Sequence, residues 1–189
     1  MDWPQETREK LIEFNWHRNI FEILAAYAAN DVDAMHRLQI NPKKGFLLMG
    51  PVGCGKTEAI MMLRKFIKPG LKCEFMYDIK TACSIKGEAA ITPFRFGPIH
   101  STSSKQIECL FDDLGVDVPI NYFGRYIHIG QELIYGRHLN FKKTGVRSHF
   151  TTNLNVEELT EYYKEISGSR LREMCNVVQY PDDAPDLRF

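Results

Sequence analysis

The chain has 189 residues, and its 44% hydrophobic and 25% charged side chains are ordinary for a globular protein, which argues against wholesale disorder. With 24 basic and 24 acidic side chains the formal net charge is zero, so composition gives no sign of nucleic-acid binding and any basic surface must be local. No apolar run approaches the roughly 18–20 residues of a membrane span, the N-terminus lacks a signal-peptide layout, and the five cysteines have neither paired nor zinc-like spacing. These features argue against a membrane anchor, a disulfide framework and a structural metal site, and they predict a protein of the reducing cytoplasm.

The N-terminal part of the chain is predicted to be helical. Apolar residues recur at helical spacing from Glu6 to about Arg37, and Asn30 and Asp31 suit a turn or cap between two helices. We expect residues 1–40 to form an N-terminal helical extension and residues 41–189 to form the remaining domain.

Strands alternate with helices through that domain. The predicted strands are residues 46–49, 72–77, 108–111, 149–152 and 176–179. The predicted helices are residues 57–67, about 122–139 and 156–174, the last of which can be read as two pieces, and residues 84–104 are predicted to be irregular. This alternation indicates an α/β fold with a mostly parallel, five-stranded sheet.

A phosphate-binding loop follows the first of these strands. Residues 50–57 read G-P-V-G-C-G-K-T and match the pattern G-x-x-x-x-G-K-[ST] in the strand-to-helix context that the motif requires. The loop amides would donate hydrogen bonds to phosphates, Lys56 would reach the outer phosphates, and the Thr57 hydroxyl would bind Mg²⁺. A chance match that binds nothing is the alternative. The predicted ATP contacts are Gly50, Pro51, Val52, Gly53, Cys54, Gly55, Lys56, Thr57 and Glu58, with Cys54 contributing only its backbone.

An acidic pair ends the third predicted strand. In C-L-F-D-D, residues 109–113, Asp112 is the candidate Mg²⁺ ligand, and Asp113 can orient or deprotonate the attacking water. A solvent-exposed acidic strand end is the default reading of such a pair alone. The upstream phosphate-binding loop favours the catalytic interpretation.

Two further motifs lie downstream, T-T-N-L at residues 151–154 and S-R-L-R-E-M-C at residues 169–175. Together with the first two motifs, in this order and at this spacing, they make residues 40–189 resemble the AAA+ ATPases, and within them the DnaC/IstB-like group of helicase loaders and transposition helper ATPases. The resemblance implies a three-layer αβα P-loop core, an AAA+ ATPase domain over residues 41–189, with ATP and Mg²⁺ as cofactors. Only about ten residues follow the last predicted strand, so the usual helical lid is expected to be reduced or absent.

The resemblance also implies roles for single residues. Asn153 would be sensor 1, which hydrogen-bonds the attacking water or the γ-phosphate, and Arg170 would be the arginine finger for a neighbouring subunit. Lys56, Asp113, Asn153 and Arg170 are then the predicted catalytic residues. Arg188 lies where short loaders carry a sensor 2-like arginine, although a frayed C-terminal tail is equally compatible with its position. Without the resemblance, Arg170 would be an ordinary surface residue.

The implied function is an oligomeric, Mg²⁺-dependent ATPase that remodels a protein–DNA complex, with a replicative helicase or a transposase as its client. One alternative is a P-loop kinase for a small molecule or nucleotide, for which residues 84–104 with Arg95 are the only candidate lid. A non-hydrolysing adaptor is another alternative. A GTPase is less favoured because the chain has no N-K-x-D segment.

Direct DNA contact is left open by the sequence. A stretch of eleven residues without an acidic side chain could form a basic patch, but an ordinary solvated loop is favoured. The basic residues of this stretch are Arg137, His138, Lys142, Lys143 and Arg147. The aromatic residues Phe94, Phe96 and Phe123, near Arg95 and Arg125, are compatible with either core packing or base stacking.

Overall fold

Five parallel strands form the central sheet of the protein, whose computed structural model describes residues 15–67, 70–97 and 106–188. The strands in chain order are β1 (Gly45–Met49), β2 (Leu71–Phe75), β3 (Glu108–Leu114), β4 (Ile120–Tyr122), β5 (Arg125–Ile127), β6 (Ser148–Thr152) and β7 (Cys175–Gln179). The sheet has the order β2-β3-β6-β1-β7, and β4 and β5 form a separate antiparallel hairpin. The predicted α/β fold with a parallel five-stranded sheet is confirmed.

Seven α-helices lie before or between the strands in the described part of the chain. They are α1 (Asn15–Ala29), α2 (Val32–Arg37), α3 (Lys56–Met62), α4 (Met76–Lys86), α5 (Thr92–Phe96), α6 (Ile129–Thr144) and α7 (Val156–Met174). The helix starts have local causes, because the Asp31 carboxylate accepts a hydrogen bond from the Ala34 amide, and Asn155 and Glu158 form a reciprocal capping box. The predicted start of the first helix, before residue 15, lies outside the described residues.

Helices cover both faces of the sheet and bury two cores. Successive strand side chains point to opposite faces, so Phe46 and Leu48 of β1 enter one core while Leu47 and Met49 enter the other. Residues of α1, α2 and α3 fill the first core, and residues of α4, α6 and α7 fill the second. The result is a three-layer αβα architecture. Within the described ranges, we find no helix with the length and apolar character that crossing a membrane requires.

The segment predicted to be irregular is mostly helical where it is described. Gly87, with a φ of +67°, ends α4, Pro93 lies in the first turn of α5, and Gly97 ends that helix. The glycines and the proline therefore mark helix ends, which is where these residues are favoured, and not a loop. Residues 98–105 of the predicted irregular segment lie outside the described part.

The helix predicted from about residue 122 begins later, after a hairpin that the sequence did not reveal. Ile120 and Ile127 pair across β4 and β5 and are both buried, so the apolar pattern here has the period of a strand. Phe123 and Gly124 form the turn, with φ values of +49° and +83°, and the Asn121 side chain accepts a hydrogen bond from the Gly124 amide at 2.9 Å. The prediction of a helix over residues 122–128 is wrong.

Candidate nucleotide-binding site

The phosphate-binding loop lies at the carboxyl edge of the sheet, between β1 and the start of α3. In parallel α/β sheets this edge is where ligands bind. The loop borders a pocket of about 290 Å³. The pocket is lined by Val52, Gly53, Gly55, Lys56, Thr57, Glu58, Asp113, Asn153 and Arg188. Most of the predicted nucleotide contacts therefore surround one cavity, although their roles stay predictions.

Lys56 is buried beneath this pocket and is held by three oxygen atoms. Its Nζ donates hydrogen bonds to the carbonyl oxygens of Gly50 and Pro51 at 2.8 and 2.7 Å, and to Oδ1 of Asn153 at 2.8 Å. Burial lowers the pKa of the Lys56 ammonium below its usual value. Burial also raises the pKa of the adjacent Cys54 thiol, which disfavours a reactive thiolate there.

Asp112 lies next to Thr57, as a shared magnesium site requires. The Thr57 hydroxyl donates a hydrogen bond to Asp112 Oδ1 at 2.6 Å, and the Thr151 hydroxyl donates to the same oxygen at 2.6 Å. Hydroxyl and carboxylate oxygens beside a phosphate-binding loop are a donor set that suits Mg²⁺. These side chains fit the implied ion, which would be held by Thr57 and Asp112.

Asp113 adjoins Asp112 at a break in the strand. The register of β3 against β6 shifts between Phe111 and Leu114, and Asp113 has a φ of +62°. On a regular strand the two carboxylates would point to opposite faces, whereas a bulge re-aims a side chain. Partial burial, and next the charge of Asp112, raise the pKa of Asp113 above its usual value.

Asn153 links the candidate base to the lysine. Its Oδ1 accepts the hydrogen bond from Lys56, and its Nδ2 donates to Asp113 Oδ1 at 3.4 Å. Asn153 follows directly after β6, which lies between β3 and β1 in the sheet. This placement puts its amide between the two chemical groups that ATP hydrolysis would need.

The residues after β7 fold back onto the phosphate-binding loop. The Leu187 amide donates a hydrogen bond to the Gly53 carbonyl at 3.0 Å, and Arg188 Nε donates to Asp186 Oδ1 at 3.1 Å. A Cβ atom added at Gly53 would lie 2.0 Å from the Asp186 carboxylate, so the approach depends on glycine. Arg188 therefore lies at the pocket, in a segment that makes defined contacts as far as the structure describes it.

Arg170 is placed differently from the other predicted catalytic residues. It is half-buried on α7, and its guanidinium lies over the Tyr135 ring of α6, 4.7 Å from the ring centroid. It does not line the pocket described above. This position leaves Arg170 without a part in its own chain's site, and any catalytic part would have to be played in a neighbouring one.

The basic stretch is neither one surface patch nor the favoured solvated loop, because residues 137–144 belong to α6 and two arginines of the stretch are held within the fold. Arg137 is fully buried, with Nε donating to Ser148 Oγ at 2.7 Å, and Arg147 Nε donates to Glu108 at 2.8 Å. Both guanidiniums fill structural positions because strands beside them supply buried acceptors. His138 and Lys142 form ion pairs with a further acidic residue of α7.

The three aromatic candidates for base stacking are also placed apart. Phe94 packs against the core beside the sheet, Phe96 is half-exposed, and Phe123 is 93% exposed at the tip of the hairpin. Arg95 forms ion pairs with Glu88 and Glu132, and Arg125 also pairs with Glu88. Of the three, Phe123 has the most exposed ring.

Thr151 is a site residue to which the sequence analysis gave no role. Its hydroxyl donates to Asp112 and accepts a hydrogen bond from the Asp113 amide at 3.0 Å, so one buried side chain holds both acidic residues. Its position near the carboxyl end of the strand predicted after the acidic pair could have indicated this contact. Parallel neighbouring strands bring their carboxyl ends together.

Comparison with solved structures finds this fold in several proteins of low sequence identity. The chain is 15% identical to the DnaC helicase loader, with a TM-score of 0.61 over 89% of this chain and 92% of that one. It is 14% identical to DnaI, with a TM-score of 0.60 and 95% of each chain covered. It is 14% identical to AMPPCP-bound DnaA from Aquifex aeolicus, with a TM-score of 0.57 over 96% of this chain and 52% of that one.

No protein-family model and no curated protein matches the chain. The structural likeness shows the fold alone, a three-layer αβα core with a phosphate-binding loop after its first strand. The fold implied by the four sequence motifs is therefore confirmed.

Proposed function

We propose that the protein binds ATP with Mg²⁺ and hydrolyses it in an assembly of several copies, in which Arg170 of one copy completes the site of the next. The cycle would remodel a protein–DNA complex in replication or recombination, as helicase loaders and transposition helper ATPases do. One observation carries the proposal: Asn153 connects Lys56 to Asp113 through its two amide atoms at the mouth of the pocket.

This connection supports hydrolysis rather than storage of ATP. A binding-only site needs the loop amides and Lys56, whereas Asp113 and Asn153 are useful only when water must be oriented or activated. The bulge in β3 brings Asp113 beside Asn153, at the cost of a positive φ that non-glycine residues rarely adopt. Backbone strain of this kind is common at sites of function.

Each residue has a defined task in the proposed reaction. The loop amides and Lys56 would bind the phosphates, and Thr57 and Asp112 would hold the metal ion. When bound, Mg²⁺ neutralises charge on the phosphate oxygens. Asp113 would accept a proton from the attacking water, and Asn153 would hold that water in line with the γ-phosphate.

The position of Arg170 supports the assembly. Phosphoryl transfer needs a cation for the charge that develops on the transferred group, and among the described residues that line the pocket of one chain the cations are Lys56 and Arg188. Arg170 lies elsewhere, on the α6–α7 side, where a second copy can meet it. Single- or double-stranded DNA and a helicase or transposase client are the remaining proposed partners.

The test measures ATPase activity against protein concentration, with and without single-stranded DNA, and the mass of the particle with ATP. We expect specific activity to rise with concentration, and Arg170→Ala to bind ATP but to lose on the order of a thousandfold in turnover. Arg172→Ala is the matched control, because Arg172 is exposed on the same helix. Full activity of Arg170→Ala, or full activity in a strictly monomeric sample, would refute the proposal.

No described feature favours the kinase alternative. Arg95, its candidate lid cation, is engaged by Glu88 and Glu132, and its side chain packs against Gly136 of α6. A cation fixed in this way belongs to the helical layer and is not available to close over a substrate.

A further inference from the structure

A buried carboxylate lies just beyond the candidate site and joins three parts of the chain. Asp117 is 2% exposed, and its Oδ1 accepts a hydrogen bond from the Gly115 amide at 3.2 Å. Its Oδ2 accepts from the Gly130 amide in the first turn of α6 at 2.7 Å, and the Tyr163 hydroxyl of α7 donates to Oδ1. Asp117 thus ties the segment after Asp113 to α6, whose Tyr135 ring Arg170 contacts, and to α7, which carries Arg170.

The contact is built closely. A Cβ atom added at Gly130 would lie 2.3 Å from Cε1 of Tyr163 and 2.5 Å from Oδ2 of Asp117, so the three groups meet only because residue 130 is glycine. Tyr163 is itself buried, and a buried hydroxyl paired with a buried carboxylate leaves neither group unsatisfied. The arrangement therefore has one geometry and little freedom to adjust.

Tyr163 is followed by a break in its helix. Lys164 has φ of 68° and ψ of 157°, values that are not helical, so α7 consists of two pieces. Tyr163 ends the first piece, and Arg170 belongs to the second. The orientation of the second piece at the break determines where Arg170 points. Tyr163, held by Asp117, is the residue directly before this break.

We propose that the Tyr163 hydroxyl, through Asp117, is a positioning group for Arg170, which sets the arginine relative to the segment that carries Asp113. This rests on the proposed function, in which Arg170 acts on a neighbouring copy. The segment after Asp113 would then be mechanically connected to the arginine offered to the next subunit. The state of one site would thereby reach the adjacent site through three hydrogen bonds.

The neighbouring residue supplies a matched control. Tyr162 also lies near the end of the first piece. Its ring packs edge-on against the ring of Tyr163, with 4.9 Å between the ring centroids. Its hydroxyl is buried but has no hydrogen-bond partner among the described residues. Tyr162→Phe and Tyr163→Phe each remove one hydroxyl from adjacent rings, and only the second one cuts the connection to Asp117.

The experiment mixes two kinds of variant subunit and introduces Tyr163→Phe into one kind at a time. Arg170→Ala subunits keep an intact site but offer no arginine, and Asp113→Asn subunits offer the arginine but cannot activate water. Mixing the two should recover ATPase activity. Tyr163→Phe is then added to one kind or the other, and kcat and KM for ATP are measured for each mixture, with Tyr162→Phe treated in the same way.

We expect Tyr163→Phe in the Asp113→Asn subunit to lower the recovered kcat about tenfold without changing KM, because a small misplacement of a catalytic group is costly. In the Arg170→Ala subunit it should change kcat less than about twofold, as Tyr162→Phe should in either subunit. An equal effect in both subunits, or none, overturns the inference. So does a Tyr163→Phe subunit that fails to bind ATP or assemble, since the hydroxyl would then be structural.

The two proposals fail in different ways. If mixing Arg170→Ala and Asp113→Asn subunits recovers no activity, Arg170 does not act on a neighbour, and both proposals fall. If mixing recovers activity that Tyr163→Phe leaves unchanged, only the positioning role is wrong.

Discussion

The neighbouring strands β3 and β6 carry polar clusters at both ends, and the two ends are used differently. At the amino end, Glu108 accepts hydrogen bonds from Arg147 at 2.8 Å and lies 3.0 Å from Nε2 of His149. Nδ1 of His149 in turn accepts from the Phe46 amide at 3.3 Å, so Nε2 carries the proton that bonds to Glu108. Every charge here has a partner within the chain.

At the carboxyl end of the same strands the charges face a cavity. Asp112 accepts hydrogen bonds from two hydroxyl groups. Asp113 and Asn153, in contrast, are exposed at the mouth of the pocket. Lys56 donates its hydrogen bonds to carbonyl and amide oxygens, which carry no charge. A cation that uses neutral acceptors can exchange them for phosphate oxygens. A closed cluster of charges stabilises a fold, and an open one is available for a ligand.

The largest effect that separates the two ends is expected for Asp113→Asn. Losing the candidate base should lower kcat about 10²–10⁴-fold while ATP affinity and the free energy of unfolding stay nearly unchanged. If Asp113 is the base, the acid limb of the wild-type pH–rate profile should be missing from the variant. Asp182→Asn, at an exposed position, is the control. A variant that keeps a tenth or more of the activity, by the same assay, would contradict this role.

Glu108→Gln should affect stability and leave the pocket intact. It leaves Arg147 and His149 without their shared anion, and we expect a loss of about 3 kcal/mol in the free energy of unfolding at pH 7 with unchanged KM for ATP. Burial alone would raise the pKa of Glu108, but the hydrogen bonds from His149 and Arg147 and the charge of Arg147 lower it below the usual 4.5.

The sign of this shift gives a second readout of the same variant. A carboxylate whose pKa is lower in the folded state stabilises the protein at pH values above its unfolded-state pKa. This stabilisation is lost as the pH falls through the folded-state pKa. Denaturant unfolding should therefore show the gap between wild type and Glu108→Gln narrowing below about pH 4. A gap that is constant with pH would mean that the carboxylate charge is not what stabilises the amino end.

Thr151→Val is a smaller change in the open cluster. Valine keeps the shape but removes the hydroxyl that donates to Asp112 and accepts from the Asp113 amide. We expect kcat to fall about tenfold, and the free energy of unfolding to fall by about 1 kcal/mol because the partly buried Asp113 amide loses its acceptor. Thr160→Val is the control, since that hydroxyl bonds only to a helix carbonyl. Unchanged kcat in steady-state assays would remove Thr151 from the site.

The smallest effect is expected at an exposed ion cluster that belongs to neither end. Glu173 is bound by His138 and Lys142, and the hydrogen bonds from Lys142 and then His138 lower its pKa to about 2. Salt screens exposed pairs, so Glu173→Gln should shift Tm by less than about 2 °C at physiological ionic strength. A shift larger than that of Glu108→Gln in the same thermal melt would show that this surface matters more than the buried amino-end cluster.

The two ends also differ in how much of them the sequence revealed. The open cluster follows from short motifs, in which Lys56, Asp112 and Asn153 stand at fixed distances from glycines and strand ends, so their convergence could be predicted. The closed cluster could not, because Glu108, Arg147 and His149 belong to no motif and each alone suits a solvated surface. For this reason the sequence placed Arg147 in a basic stretch with Lys142 and Lys143, whereas in the fold it pairs with Glu108.

Two other features escaped prediction because they depend on backbone geometry. The bulge at Asp113 leaves no mark in the amino acids, and the Phe123-Gly124 turn lacks the Asn-Gly or Asp-Gly pair that usually marks a tight hairpin. The helix starts after Asp31 and at Val156 were better predicted, since a capping residue acts within one turn. Features set by neighbouring residues could be predicted from the sequence, whereas contacts between distant segments could not.

The return of the C-terminal segment to the phosphate-binding loop also has a practical consequence for spectroscopy. Residues near the Leu187 amide and Gly53 carbonyl should change their surroundings when ATP enters, and Asp183 is an exposed turn residue a short distance before them. Four of the five native cysteines are buried, and Cys73 is half-buried. A thiol-reactive fluorophore on Asp183→Cys would therefore label one site selectively and report nucleotide binding in real time.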